Sequence, residues 1–328
     1  MTLPAVSPFV PWRPTATRKR RHVLDLDDFS EQEIIDVLDS AVSMKEILGR
    51  SVPQVPILRG RTVVNVFYEE STRTRMSFEL AARTLSAATM SMTAKGSSVE
   101  KGESLIDTIR TIQALGADII VIRHGESGAP YLAAQHFRGS IINAGDGRHA
   151  HPSQALLDLF TIREKLGNLR DVHVVITGDV LHSRVARSNL WGMLRCGMRV
   201  TLCGPSTLIG NVHMWQSVFP TLNISYHLDE LLPHTDVLMG LRLQKERMQA
   251  GLLPALREYS TYFGIDGERL SKLPAHAIVM HPGPMNEGVE IMPEAADAPQ
   301  SVIEQQVTNG VAVRMALLYQ LSGEPVAN

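Results

Sequence analysis

Residues 62–80 read Thr-Val-Val-Asn-Val-Phe-Tyr-Glu-Glu-Ser-Thr-Arg-Thr-Arg-Met-Ser-Phe-Glu-Leu, and the change of pattern inside them decides the fold. Thr62 to Tyr68 is a short β-branched and aromatic run of strand character. After Glu69 and Glu70, Ser71 opens a helix that Met76, Phe78 and Leu80 continue. A strand running straight into a helix is the first half of a parallel crossover unit. The helix start also suits a doubly charged phosphate. Free backbone N–H groups, the positive end of the helix dipole, the hydroxyls of Ser71, Thr72 and Thr74 and a guanidinium fork from Arg73 converge there. An ordinary N-cap would need Ser71 alone.

The alternation extends on both sides of this stretch. Upstream, Ser30 and Glu33 make a capping box ahead of Ile34, Leu38, Ala41 and Leu48 at helical spacing. Downstream, strands at Thr89 to Thr93, Asp118 to Ile122 and Ser140 to Ala144 alternate with helices near Leu105 to Leu115 and Ser153 to Leu166. A second series follows through Val172 to Thr177, Val185 to Arg195, Arg199 to Cys203, Asp236 to Leu241 and Ala277 to Met280, closed by a helix from Ser301 to Leu321. The expected fold is therefore α/β, with two doubly wound parallel-sheet domains and an inter-domain active-site cleft. The expected division is a disordered tail over 1–21, a first domain over 22–165, a second over 166–300 and a helix over 301–328 packing back on the first. The helix Ser153 to Leu166 is the expected bridge between them.

At 328 residues with 44% hydrophobic content, the chain exceeds what one compact core holds, which fits two domains. Lys+Arg 32 against Asp+Glu 34 gives a net charge of -2, so no global field favours nucleic acid or an anionic membrane, and any cationic site must be local. Arg18 to Arg21, lying beyond Pro4, Pro8, Pro11 and Pro14, read as a solvated tail rather than a nucleic-acid arm. Cys196 and Cys203 have neither disulfide nor zinc spacing, no apolar run reaches the roughly 18 residues of a membrane span, and the N-terminal residues lack signal-peptide order. A cytoplasmic protein with no membrane partner is expected.

Further residues with chemistry stand at the ends of these strands. Gly96 to Glu103 is a glycine-bracketed polar loop whose Lys101 either carries a point charge to an anion or is merely solvated. Arg123 follows an apolar strand at its carboxyl end, where ligands of open α/β sheets bind. Asp146, His149 and His151 lie in the next such loop. A His-x-His pair can ligate metal, but no third ligand stands at a usual spacing, so hydrogen bonding to substrate or structure is expected. Gly178 to Arg184 lacks the glycines of a dinucleotide fingerprint. Arg184 and Arg242, each at a sheet end, suggest a dicarboxylate clamp as a pair. His281-Pro282-Gly283-Pro284 is a rigid turn that either fixes carbonyl directions or is structural only.

Ser71-Thr72-Arg73-Thr74-Arg75, Lys101-Gly102-Glu103, Arg123-His124, His151-Pro152-Ser153-Gln154, Arg184, Arg242-Leu243-Gln244-Lys245-Glu246-Arg247 and His281-Pro282-Gly283-Pro284, in this order, resemble the carbamoyltransferase family from about His22 onward. The Arg-x-Gln-Lys-Glu-Arg stretch is similar to the aspartate branch. The His-Cys-Leu-Pro and Ser-Met-Gly motifs of the ornithine branch are absent. The resemblance implies transfer of a carbamoyl group from carbamoyl phosphate to the α-amine of L-aspartate, an early step of de novo pyrimidine biosynthesis, with no metal and no cofactor. It implies that Ser71, Thr72, Arg73 and Thr74 hold the phosphate and that Thr74, Arg123 and His151 face the carbamoyl oxygen. Gln154 and the carbonyls of Pro282 and Gly283 would take the carbamoyl NH2, and Arg184, Arg242 and Gln244 the aspartate carboxylates. Ser97 and Lys101 resemble loop residues that enter a neighbouring subunit's site, the first beside carbamoyl phosphate and the second reaching aspartate as well, which implies a homotrimer with shared sites. A regulatory chain or a dihydroorotase partner stays open. So do two alternatives, a carbamoyltransferase for another amine and a weakly active scaffold or regulatory paralogue. One departure stands out: where such sequences usually read Asn-Arg after the proline turn, Asn286 is followed by Glu287, which either faces the anionic substrates or faces solvent.

Overall fold

The computed structural model describes residues 20–93, 102–244 and 255–322. The first half forms a parallel sheet of β1 (Thr62–Phe67), β2 (Ala88–Thr93), β3 (Ile119–His124) and β4 (Ser140–Asp146), in the order β2-β1-β3-β4. The second half forms a parallel sheet of β5 (His173–Thr177), β6 (Arg199–Cys203), β7 (Asn223–Ser225), β8 (Val237–Gly240) and β9 (Ile278–Met280), in the order β7-β6-β5-β8-β9.

Strand periodicity explains why both faces are covered. In β1, Val63 and Phe67 point into one core, shared with Phe78, Leu156 and Leu159, while Val64 and Val66 point into another with Ile109, Ile112 and Phe137. In β5, Val174 and Ile176 join the first of these cores and Val175 joins a third, with Leu238 and Leu270. Such strands read as near-continuous apolar runs because no face meets water.

The helices that position the cleft are α1 (Glu31–Leu48), α2 (Thr72–Thr84), α3 (Leu105–Ala114), α4 (Ala129–His136), α5 (Pro152–Leu166) and α6 (Arg184–Arg195), together with a closing helix, Ile303–Leu321. The capping box of Ser30 and Glu33 is formed as expected. Helix α5 is buried from Pro152 to Ile162 and packs on α1, α6 and the closing helix, so it touches both halves. The closing helix in turn packs on α1, α2 and α5. One apolar core runs without a break from Val23 and Leu26 through α5 to Val174 and Leu317.

Some local readings differ. Residues 1–19 of the expected tail lie outside the described residues, but Arg20 and Arg21 are part of the fold. Arg20 pairs with Asp28 at 2.8 Å and Glu33 at 2.9 Å and lies 3.7 Å over the Phe29 ring, while Arg21 donates to the main-chain oxygens of Phe137 and Arg138. These carboxylates and carbonyls are supplied by the capping loop and the edge of β4, where Val23 adds a bridge to Ile142. Helix α4 and strand β7 have no counterpart in the sequence reading, being short and weakly patterned. Among the described residues, no helix is long and apolar enough to cross a membrane, and both cysteines are buried free thiols.

Leu38 is fully buried on α1 whereas Val42 is exposed. Replacing Leu38 by Ala should lower the unfolding free energy by about 2–5 kcal/mol, and Val42 by Ala should change it by less than about 1 kcal/mol. Denaturant titration of both variants measures the contrast.

Candidate active site

Sheet topology dictates where a ligand can sit. In the first sheet the chain reverses direction between β1 and β3, and in the second between β5 and β8. The carboxyl ends of strands flanking such a switch point open a crevice. Here the two crevices face each other and merge into one cleft of about 600 Å³. Glu69 to Thr74 follow β1, Arg123 ends β3, His182 to Val185 follow β5, and Arg242 and Gln244 follow β8; all of them line it.

Ser71 is the N-cap of α2, yet its side chain makes no capping hydrogen bond, unlike Ser30, Ser104 and Ser183 on their helices. The first turn of α2 therefore offers its N–H groups and three hydroxyls to the cleft. Arg73 reaches across to the other half, donating from Nη2 to Pro282 O at 3.3 Å. That approach requires glycine at 283: its φ is +58°, and a Cβ there would stand 2.0 Å from Arg73 Nη1. The turn is further held by the Gly283 N–H donating to His281 Nδ1 at 2.8 Å.

The other cations are tied to specific partners. Arg184 donates from Nη2 to Glu69 Oε2 at 2.7 Å and from Nη1 to Gly147 O at 3.1 Å. Arg123 donates from Nη1 to Ala144 O at 3.1 Å and stands 3.4 Å from the same Glu69 oxygen. Asp179 accepts from the Gln244 N–H at 3.2 Å and from His182 at 2.8 Å, which fixes the loop carrying Gln244 against β5. The arginines 73, 123, 184, 242 and 314 line the cleft against Glu69 and Glu70, so it is net cationic.

His151 is the N-cap residue of α5 and is buried, with its backbone N–H donating to Ser188 Oγ at 2.9 Å. Burial, then the nearby Arg123, Arg184 and Arg314, push its imidazole well below the usual histidine range. It is therefore a neutral ring at physiological pH, able to donate one N–H. His149, in contrast, turns away from the cleft to lie between Asp146, at 3.1 Å, and Asp25, at 3.6 Å. The two histidines do not converge, and among the described residues no group of three His, Cys, Asp or Glu side chains is placed to hold a metal.

The cleft brings together Ser71, Thr72, Arg73, Thr74, Arg123, His151, Gln154, Arg184, Arg242, Gln244, Pro282 and Gly283. Ser97, Lys101 and Lys245 to Arg247 lie outside the described residues. Glu287 does not line the cleft: it is exposed, and the acid of that turn which faces inward is Glu290, buried and accepting from Asn286 N at 2.6 Å. Glu69 and Arg314 were assigned no role from sequence. Arg314 interrupts the apolar run Val311 to Leu318, and a lone arginine in such a run was the available signal. It is buried and lies 5.1 Å over the Phe78 ring, with burial drawing it down to about 10.

Both halves match family models. Residues 21–164 match the aspartate/ornithine carbamoyltransferase carbamoyl-P binding domain, and residues 170–321 the Asp/Orn binding domain. The chain belongs to this carbamoyltransferase family. An aspartate carbamoyltransferase catalytic subunit from Chloroflexus aurantiacus is 68% identical over 307 residues, spanning 94% of this chain and 100% of that one. A Trypanosoma cruzi aspartate transcarbamoylase in complex with carbamoyl phosphate and aspartate is 30% identical, covers 94% of this chain and 98% of its own, and superimposes with a TM-score of 0.84. The M. jannaschii aspartate transcarbamoylase catalytic subunit is 36% identical, with 93% and 100% covered and a TM-score of 0.82.

The depressed His151 sets a pH dependence. Its folded-state pKa lies below that of the unfolded chain, near 6.5, so protons bind preferentially to the unfolded chain as pH falls. The stability this residue contributes should be complete above about pH 6.5 and decline below it. Nitrogen-15 shifts of His151 should stay those of a neutral imidazole as pH falls through the range where free histidine titrates, and a titration midpoint near 6.5 would contradict its burial.

Proposed function

We propose that the chain transfers the carbamoyl group of carbamoyl phosphate to the α-amine of L-aspartate, giving N-carbamoyl-L-aspartate and inorganic phosphate. The observation that carries this reading is the pair of cationic subsites facing each other across one cleft, the start of α2 with Arg73 on one side and Arg184, Arg242 and Gln244 on the other. Each substrate brings about two negative charges. A close ion pair at an effective dielectric near 20 is worth roughly 4 kcal/mol before desolvation, enough to hold both anions together.

Ser71, Thr72, Arg73 and Thr74 receive the phosphate at the open helix start. Thr74, Arg123 and the neutral His151 donate to the carbamoyl oxygen, where negative charge develops in the tetrahedral intermediate. Gln154 and the carbonyls of Pro282 and Gly283 accept from the carbamoyl NH2. Arg184, Arg242 and Gln244 hold the aspartate carboxylates, so that its uncharged amine lies in line with the carbamoyl carbon. The amine lone pair forms the new C–N bond, the bond from carbon to the phosphate oxygen breaks, and the departing phosphate takes the amine proton. Arg73 stabilises the charge that grows on the leaving group. The early pyrimidine step and the cytoplasm are the setting in which this reaction belongs.

Arg73→Ala should lower kcat by at least about a hundredfold with the circular dichroism spectrum unchanged, because its contact strengthens as the leaving group departs. Arg242→Ala should raise KM for aspartate at least about a hundredfold with little change for carbamoyl phosphate, the loss of a bidentate charged pair. Assays with aspartate and with ornithine test the acceptor directly. Turnover with ornithine alone, or with neither, overturns the reading.

The site is further read as shared between the subunits of a homotrimer, with Ser97 and Lys101 supplied by a neighbour. Lys101→Ala and Arg184→Ala, each nearly inactive alone, should regain activity when mixed under subunit exchange, since some sites then keep both residues. No recovery with exchange confirmed by native mass measurement would place Lys101 in its own subunit's site.

A further inference from the structure

Asp158 lies on α5 one turn after Gln154, entirely buried where α5, α6 and the closing helix meet. Its oxygens take hydrogen bonds from three side-chain amides. Oδ1 accepts from Gln154 Nε2 at 3.0 Å and from Gln306 Nε2 at 2.8 Å, and Oδ2 accepts from Asn189 Nδ2 at 2.9 Å. Burial lifts this carboxyl to about 6 while the three amides hold it down, so it is ionised at neutral pH. An ionised carboxylate only accepts, and each amide must therefore present its NH2 end to Asp158 and its oxygen elsewhere.

The consequence differs for each amide. Gln306 turns its Oε1 to accept from the His281 N–H at 3.0 Å, which anchors the turn that carries the Pro282 and Gly283 carbonyls. Gln154, which lines the cleft, is left with its oxygen as the end available there. One buried carboxylate thus aims two sets of acceptors, an amide oxygen on α5 and the carbonyls after β9, at the same end of the cleft.

We infer that Asp158 is the positioning residue that makes this cleft select an acyl phosphate bearing an NH2 group, by holding acceptors rather than donors against it. This rests on the functional reading above. Acetyl phosphate has the same charge and nearly the same shape as carbamoyl phosphate but carries a methyl group in place of the amine, so it leaves those acceptors without a partner. A site built around such hydrogen bonds rejects an analogue that lacks them far better than an apolar pocket does. A leucine in place of the aspartate, close to it in size, offers no acceptor to any of the three NH2 donors. Gln154 is then no longer held by its NH2 and turns a donor toward the carbamoyl NH2.

The test is the selectivity of the full-length protein, taken as the inhibition constant of acetyl phosphate divided by KM for carbamoyl phosphate. Asp158→Leu should lower that ratio at least about tenfold, through KM for carbamoyl phosphate, with KM for aspartate within about twofold of the parent. Asn189→Leu, which removes a donor that does not face the cleft, should lower the melting temperature and leave the ratio unchanged. An active Asp158→Leu variant with an unchanged ratio overturns the inference, whatever its stability. Should that variant fail to fold, Gln306→Met cuts the tie to His281 while keeping Asp158, and the ratio should fall at least about threefold; no change there is equally decisive against it. A wild-type protein without carbamoyl phosphate turnover is a separate result, which sinks the functional reading on which the inference rests.

Discussion

A single carboxylate makes the cationic cleft possible. Glu69 Oε2 stands 2.7 Å from Arg184 and 3.4 Å from Arg123, so one acid at the end of β1 lies between guanidinium groups brought in by the two sheets. Without it, those like charges would face each other in a partly desolvated space, a repulsion of roughly 4 kcal/mol per close pair. With it, each arginine's position is fixed by a protein carboxylate and a backbone oxygen, Gly147 O for Arg184 and Ala144 O for Arg123. The same contact crosses between the halves of the chain, as does Arg73 to Pro282 O. Electrostatic balance and the gap between the sheets are thus set by the same few bonds.

The sheets were legible in the sequence because parallel strands covered on both faces cannot hide their apolar runs, as Ile119 to Ile122 and Val174 to Ile176 show. Much of the cleft was legible for a related reason. Arg123 ends one strand, Arg242 and the His281 turn come within two residues of theirs, Arg184 opens the helix after another, and strand ends at a switch point are where ligands of such folds bind. The phosphate-type helix start was plainer still, since Ser71, Thr72, Arg73 and Thr74 are consecutive and owe their convergence to the helix alone.

What stayed hidden depends on contacts between residues far apart in the chain. Asp158 and Arg314 sit on helices whose local pattern says only that one side is buried; that Asp158 meets Gln306, or that Arg314 faces Phe78, follows from how α5, α2 and the closing helix pack. Glu287 shows the opposite difficulty. It adjoins a recognisable motif, yet the bridge from Glu287 to Ile291 turns it to solvent and brings Glu290 inward instead. Arg20 read as solvated because nothing nearby in sequence announced Asp28 and Glu33 as its partners. Helix α4 and strand β7 are held by their neighbours more than by their own propensity, and a local pattern cannot report that.

The closing helix also bears on how the protein is made. Its buried face, Val311 to Leu318, completes the packing of α1, α2 and α5, whose residues were synthesised long before it. A nascent chain that has just finished β4 has its sheet strands in hand but presents to water the apolar surface that Ile303–Leu321 will later cover. The first half therefore cannot reach its final packing until residues 303–321 leave the ribosome, at about 5–20 residues per second some ten to thirty seconds later. During that interval α1 and α2 are surfaces for a chaperone or for a wrong partner.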